Sequence, residues 1–288
     1  MKDPVLRTIP AESFVTLLST ESYLPGVLAL NESLRRFNSK YPLLVVVSNS
    51  IQPSTKDLLE KSGMQVVTCF ESMDIPLEIK NKSGHWGNTF DKICIFGLTD
   101  FSKLVYVDSD MIMLRNIDEL FDKPHMSAVS AGKFLYPDWI RLNSGIMVIE
   151  PEQGLPEKIM KTLEKSMSEV EALGGKALGD QDLINAYYSE WPTSTELHLD
   201  EGYNIFQSHL DAYIDKNSYA LPDENTSFKK PVSMVHFIGK DKPWMRFSAL
   251  KHLLNLFKKK SPFRWENKVF FMYKKLLRDS MLAARYGS

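Results

Sequence analysis

Cys69 and Cys94 are the only cysteines in 288 residues. So low a thiol content excludes a disulfide framework and a zinc site built from several cysteines. Net charge is scarce as well. The 35 Lys and Arg stand against 36 Asp and Glu, a balance of −1, which argues against a chain that binds nucleic acid through an overall basic surface. Long apolar runs are missing: no stretch reaches the roughly 20 residues that a membrane span needs. Nor does Met1-Lys2-Asp3-Pro4 lead into the apolar core of a secretory leader. A soluble, cytoplasmic protein is expected. Internal repeats and low-complexity linkers are also lacking. The 43% hydrophobic and 25% charged residues suit a globular enzyme large enough to bury its own core.

What is present is an alternation. Phe14–Leu18 reads as a buried strand, followed by a helix around Pro25–Phe37 with Val27, Leu30, Leu34 and Phe37 on one face. The run Leu43–Val47 suits a strand covered on both faces. A helix led by Pro53-Ser54-Thr55 and ended by Gly63 precedes strand Met64–Thr68. Strand, helix, strand, helix predicts a parallel sheet with crossover helices. Further on, the loop Ser83–Asn88 leads into a helix through about Gly97, then a strand at Lys103–Val107 and an extended stretch at Met111–Leu114. A short capped helix is expected at Asn116–Phe121, with strands at Ser127–Ala131 and Gly145–Ile149. One long helix is expected over Pro156–Leu173, another from about Gly179 to Ser189, and a last buried strand at Ser233–Phe237. A catalytic domain over 1–250 and a helical extension over 251–288 follow. The extension carries ten basic and two acidic residues among its aromatic ones, so a pair of packed helices with basic faces and a segment lying on an anionic membrane are both open readings.

Three constellations could carry chemistry. Strand Lys103–Val107 ends in Asp108-Ser109-Asp110, two carboxylates at the rim of the sheet, where open α/β folds bind ligands and where both could reach one hard cation. Paired acids also often cap helices or solvate loops, so the motif alone is weak. His236 lies on the last apolar strand, which runs into Gly239-Lys240-Asp241-Lys242, a candidate phosphate cradle. A core histidine is the plainer reading; joined to two Asp, its imidazole would shift preference from Mg2+ toward Mn2+. Third, Asp180-Gln181 starts a helix, and Asp180 taken alone reads as an N-cap.

Together the strings FVTLLSTESYLPGVLAL, TFDKICIF, KLVYVDSDMIMLRNIDELF, RLNSGIMVIEP, GDQDLINAYY and VHFIGKDKPW resemble the family-8 retaining glycosyltransferases, in the glycogenin-like branch. The resemblance covers residues 12 to about 246. It implies a Rossmann-like nucleotide-sugar-binding α/β fold of the GT-A type, a mixed sheet with helices on both faces. It also implies Mn2+, with Mg2+ second, and a UDP-glucose or UDP-galactose donor. By position, Leu17, Ser19, Thr20 and Tyr23 would line the uridine site, and Lys92 would bind sugar and phosphate. Asp108, Asp110 and His236 would hold the metal, with Ser109 the small residue between the acids. Asn143 and Ser144 would contact the sugar, Asp180 and Gln181 would flank the anomeric carbon, and Gly239 and Lys242 would grip the diphosphate.

This chain departs from the resemblance in places. An aspartate three residues before Asp180 is replaced by Ala177, and an arginine nine before Lys92 by Ser83. The self-glucosylated tyrosine of the branch falls on Asp211, with Tyr213 and Tyr219 only nearby. The expectation is therefore a metal-dependent retaining hexosyltransferase that acts on a glycan, glycoprotein or glycolipid acceptor and does not prime itself. A self-glucosylating primer is the alternative. A phosphohydrolase of the haloacid-dehalogenase type fits less well, because its DxD strand lies near the amino terminus and a Thr follows where Ile112 stands. A UDP-binding protein without turnover has only Ala177 and Ser83 in its favour. No nucleic-acid partner is expected; a homodimer and a peripheral membrane contact through the extension are compatible with the sequence.

Overall fold

The structure is a computed structural model, which describes residues 11–68, 89–172, 178–222, 229–245 and 264–286. Ser83 and Ala177 lie outside the described residues, as do the loop Ser83–Asn88 and most of the extension before its last helix.

A six-stranded sheet runs in the order β3-β2-β1-β4-β7-β6. Its strands are β1 (Glu12–Leu18), β2 (Leu43–Val47), β3 (Gln65–Thr68), β4 (Lys103–Val107), β6 (Ala128–Val129) and β7 (Asn143–Ile149). The first four are parallel and β7 is antiparallel to both of its neighbours. Chain order turns back on itself between β1 and β4, which opens a crevice at their carboxyl ends.

Alternation along β1 explains how both faces are covered. Phe14 and Leu18 enter one core, with Val27, Leu30 and Leu34 of helix α1 (Leu24–Arg36). Val15 and Leu17 enter the other, with Ile93 and Phe96 and with Leu183 and Ile184 of helix α5 (Asp180–Tyr187). β2 is Leu-Leu-Val-Val-Val and wholly buried, as a strand covered on both sides must be. Helix α2 (Pro53–Lys61) ends before Gly63, whose φ of +82° is the left-handed geometry that glycine tolerates.

Two helical expectations are corrected. The long helix over Pro156–Leu173 is two helices, α3 (Leu155–Met160) and α4 (Leu163–Ala172). The Thr162 hydroxyl donates to Ile159 O at 2.7 Å at the junction, a local side-chain bond that competes with the helical ladder. The segment Thr89–Gly97 is 3-10 rather than α-helical.

A second, three-stranded sheet sits beside the crevice. It consists of β5 (Met111–Met113), β8 (Ile205–Phe206) and β11 (Met234–His236), with β11 antiparallel to β5 and parallel to β8. A pair of short strands, β9 (Tyr219–Ala220) and β10 (Lys230–Pro231), and helix α6 (Leu210–Lys216) flank it.

The final helix, α7 (Trp265–Tyr286), buries Val269, Phe270, Tyr273 and Leu276. The Tyr273 hydroxyl donates to Pro25 O at 3.3 Å, and Arg36 pairs with Asp279 at 3.4 Å. Packing therefore accounts for the inward face of the extension. The outward face shows Phe271, Met281 and Leu282. No helix among the described residues is long and apolar enough to cross a membrane.

Candidate active site

β4 ends at Val107, and the chain turns through Asp108-Ser109-Asp110 before pairing again as β5. The turn is held from below: the Asp108 amide donates to Gly145 O and the Phe237 amide to Asp110 O. Gly26 near the start of α1 permits the close approach, since a Cβ there would meet Ser109 O at 2.3 Å. The result brings one ligand atom each of Asp108, Asp110 and His236 within 4.8 Å of one another. His236 Nε2 lies 3.1 Å from Asp110 Oδ1 and 3.7 Å from Asp108 Oδ2. Ligand atoms around an octahedral cation sit about 3 Å apart when each bond is about 2.1 Å, so this donor set fits a divalent ion.

The orientation of the His236 ring is fixed by a chain of bonds. The Gly145 amide donates to Asn143 Oδ1, which makes that oxygen an acceptor for Asn204 Nδ2 at 2.7 Å. Asn204 Oδ1 then faces His236 Nδ1 at 3.0 Å. An amide oxygen only accepts, so Nδ1 donates to it and Nε2 is the nitrogen turned toward the carboxylates. Gly145 leaves room for the ring, because a Cβ there would stand 2.9 Å from His236 Cε1.

A second charge centre abuts the first. Lys92 is buried, and its Nζ lies 2.7 Å from Asp180 Oδ2 and 3.1 Å from Asp108 Oδ1. It also donates to Ser144 O and Oγ, both at 3.2 Å, and stands 4.7 Å from the centre of the Tyr106 ring. Burial alone would push Lys92 toward its neutral form; Asp108 and Asp180 outweigh it and hold its pKa above the ordinary lysine value. Burial likewise opposes ionisation of Asp110, but His236 and Lys242 hold it below the usual carboxylate range. Lys242 Nζ lies 2.5 Å from Asp110 Oδ2 and donates to Phe237 O at 2.9 Å. In this structure Lys242 ties the loop to the acid rather than standing open.

Asp180 is not the cap of α5. Gly179 holds the N-cap position and its amide donates to Asp182 at 3.0 Å, so Asp182 does the capping. That leaves Asp180 turned inward, where it accepts from Ser144 Oγ at 2.8 Å. Gln181 Oε1 accepts the Ser144 amide at 3.2 Å. Asp180, Gln181, Ser144 and Lys92 thus form one bonded group at the start of β7, beside Asn143 in the chain.

The expected nucleotide residues follow β1. Leu17 is buried near its end, and Ser19, Thr20 and Tyr23 lead from it into α1. The ring of Tyr23 packs edge-on against Trp244 at 5.4 Å, with Lys242 Nζ 5.7 Å from its centre. Burial raises the Tyr23 pKa, with Asp110 and Asp108 adding to it against Lys242, so the phenol shares the field of the acid pair. Gly239 adopts φ +90°, which turns β11 into the Lys242 loop. Asp211 does other work: it pairs with Arg264 and accepts the Glu266 amide at 3.2 Å, clasping the start of α7. Tyr213 and Tyr219 are buried, bonded to Glu201 and Asp200.

Asn204 and Tyr106, whose hydroxyl donates to Asp108 at 2.6 Å, escaped the sequence reading. Tyr106 stands within a continuous buried run and reads as core. Asn204 and its partners are separated by 61 and 32 residues, a spacing that no local pattern reveals.

Known proteins share parts of this sequence and its fold. The profile described as Glycosyl transferase family 8 matches residues 14–248. Glycogenin-1 of Homo sapiens is 30% identical over 237 residues, covering 81% of this chain and 62% of that protein. Inositol phosphorylceramide glucuronosyltransferase 1 of Arabidopsis thaliana is 31% identical over 253 residues, 82% of this chain and 43% of its own length. The chain thus spans less than two thirds of the length of these curated relatives. The galactosyltransferase LgtC, solved with donor and acceptor sugar analogs, superposes with a TM-score of 0.58 at 15% identity, over 93% of this chain and 95% of its own. The glycosyltransferase GlyE of Streptococcus pneumoniae gives 0.57 at 17% identity, over 93% and 63%. Both likenesses are of fold.

Proposed function

We propose, from the premise that this chain belongs to glycosyl transferase family 8, that it transfers glucose or galactose from a UDP-sugar to a separate acceptor, with retention at the anomeric carbon. The observation that carries the reading is the juxtaposition of the Asp108, Asp110 and His236 donor set with the Lys92–Asp180 ion pair. One centre suits a diphosphate with its cation and the other suits the sugar. Mn2+ is the ion we assign, held by two carboxylates and an imidazole.

A divalent ion bound there supplies positive charge against the negative charge that UDP gains on leaving. The chain's own residues do the rest. Asn204 holds the His236 ring, and Tyr106 and Lys92 orient the Asp108 carboxylate. Lys92 and the Ser144 hydroxyl fix the carboxylate of Asp180, which with the Gln181 amide oxygen faces the oxocarbenium-like carbon and stabilises its charge. A uronic acid donor would bring a further carboxylate to a centre whose two buried lysines already pair with Asp108, Asp180 and Asp110; a neutral hexose is the better match. The burial of Tyr213 and Tyr219 and the engagement of Asp211 support an acceptor other than the chain itself. Cytoplasmic residence and contact of the outward face of α7 with an anionic membrane belong to the same proposal.

The test is release of UDP from UDP-glucose, UDP-galactose and UDP-glucuronate with Mn2+. Release from one of the hexoses is expected, and Asp110→Asn should abolish it and weaken UDP binding. A variant that retains full turnover in Mn2+ would refute the metal assignment.

A further inference from the structure

Among the described residues, seven large apolar side chains stand in solvent. Three belong to α7. The other four, Tyr136, Trp139, Ile238 and Met245, lie on the two loops that flank the candidate active site: the loop between β6 and β7, and the loop that follows β11.

Sheet order says what each side can hold. Along the carboxyl edge, β1 carries the nucleotide candidates, β4 the acid pair and β7 the sugar group at Asn143 and Ser144. Next is β6, whose Val129 pairs with Asn143, so the loop that carries Tyr136 and Trp139 emerges just beyond the donor sugar. An acceptor must enter from that side, since the other is taken by the nucleotide.

The loop is firmly built although its tip is exposed. The Tyr136 and Leu135 amides donate to Gly132 O, the Trp139 amide to Tyr136 O, and Ser130 Oγ to Trp139 O. The Phe134 amide donates to Glu201, and the Phe134 ring packs against Tyr213 at 5.3 Å. Its inner half is anchored in the core while two aromatic rings are presented outward: Tyr136 is 61% exposed and Trp139 50%. Polar groups lie beside each ring. Tyr136 stands 6.1 Å from His209, and Phe206 links His209 to His236. Trp139 lies under Arg141, which pairs with Asp182 at 3.2 Å, two residues after Asp180.

The geometry points to Tyr136 and Trp139 as stacking surfaces of an acceptor subsite for a carbohydrate, an inference that rests on the glycosyltransferase reading above. A pyranose ring offers C–H groups on its faces and hydroxyls at its edge. The exposed rings match the faces, and His209, Arg141 and Asp182 match the edge. The exposed Asp138, which lies between Tyr136 and Trp139 in the chain, disfavours both a lipid tail and an anionic ligand at this spot.

Saturation-transfer NMR with maltose and lactose, in the presence of UDP and the diamagnetic ion Mg2+, tests the inference. In the wild type, signal is expected on the ring protons of at least one disaccharide. In the double variant Tyr136→Ala with Trp139→Ala its affinity should fall about tenfold or more, as for an aromatic anchor, while UDP affinity holds. The pair Tyr136→Phe with Trp139→Phe should keep most of the binding. Undiminished binding by the alanine variant overturns the inference, as does a wild type that binds UDP but neither disaccharide. A wild type that fails to bind UDP refutes the glycosyltransferase reading instead, and UDP binding is measured separately.

Discussion

In the six-stranded sheet, β2 buries five residues and all five are Leu or Val. In the three-stranded sheet, β11 buries its three residues just as fully, yet one of them is His236, turned toward two aspartates. The large sheet stabilises through apolar area and keeps its specific chemistry to its carboxyl edge. The small one places charge where burial opposes it, and compensates with Lys92, Lys242, Tyr106 and Asn204. Such a cluster costs stability unless every member keeps its partner. The rigid sheet beneath it is what allows short strands to hold that arrangement. Substitutions in the two regions should therefore separate: in one the melt moves, in the other binding or turnover does.

The largest effect on folding is expected from Phe14→Ala. Phe14 is fully buried on β1 and packs edge-on against Phe121 at 5.0 Å. Urea unfolding should show a loss of roughly 3–5 kcal/mol, while the protein that remains folded binds UDP normally. A loss below about 1 kcal/mol would mean that this core carries less of the stability than its burial implies.

Asp180→Asn is expected to do the reverse. Asn still accepts from Ser144, Lys92 keeps Asp108, and the cap of α5 is Asp182. The melt should barely move, while turnover falls about a hundredfold, the scale for removing one charge-stabilising group, with UDP affinity little changed. Unchanged turnover would remove Asp180 from the chemistry.

The same contrast decides what was legible in the sequence. β1, β2 and β4 announce themselves because strands buried on both faces are continuous apolar runs bounded by turns. The acid pair was legible because it ends such a run. The three-stranded sheet was less so: Met111–Leu114 and Ser233–Phe237 read as extended, but Ile205-Phe206 gave no strand signal, and the pairing joins residues as far apart in the chain as Met111 and His236. The split of the helix after Met160 was hidden for another reason, since neither Gly nor Pro marks it and a threonine hydroxyl ends the turn. The roles of Asp180 and Gln181 came through resemblance; what removes the capping alternative is Asp182, three residues past Gly179.

Asn204→Ala probes the border between the regions. It unties His236 from Asn143 without removing a ligand, so Mn2+ affinity in the presence of UDP, read by electron paramagnetic resonance, should weaken ten- to a hundredfold. Buried His236 and half-buried Asn143 each lose a bond, and unfolding should register about 1–3 kcal/mol. Native Mn2+ affinity in this variant would show that the ring is held by packing alone.

The smallest effect is expected at Asp211, and it bears on whether this chain modifies itself. Asp211 pairs with Arg264, whose side chain is 39% exposed, and accepts the Glu266 amide at 3.2 Å. A partly exposed ion pair contributes about 0–1 kcal/mol, so Asp211→Asn, which can still accept the amide, should lower stability by at most that much. Release of UDP from the hexose donor should be unchanged, because the residue touches α7 and not the acid pair. Intact-mass spectrometry of wild type and variant after incubation with UDP-glucose should show a single unshifted species in both. Tyr213 and Tyr219, the two hydroxyl groups nearby, are buried and bonded to carboxylates, so neither can reach a donor sugar without unpacking the region around α6. A ladder of hexose additions on the wild type would overturn this assignment: Asp211 would then be a bystander at a priming site served by another residue, and the acceptor would be the chain itself.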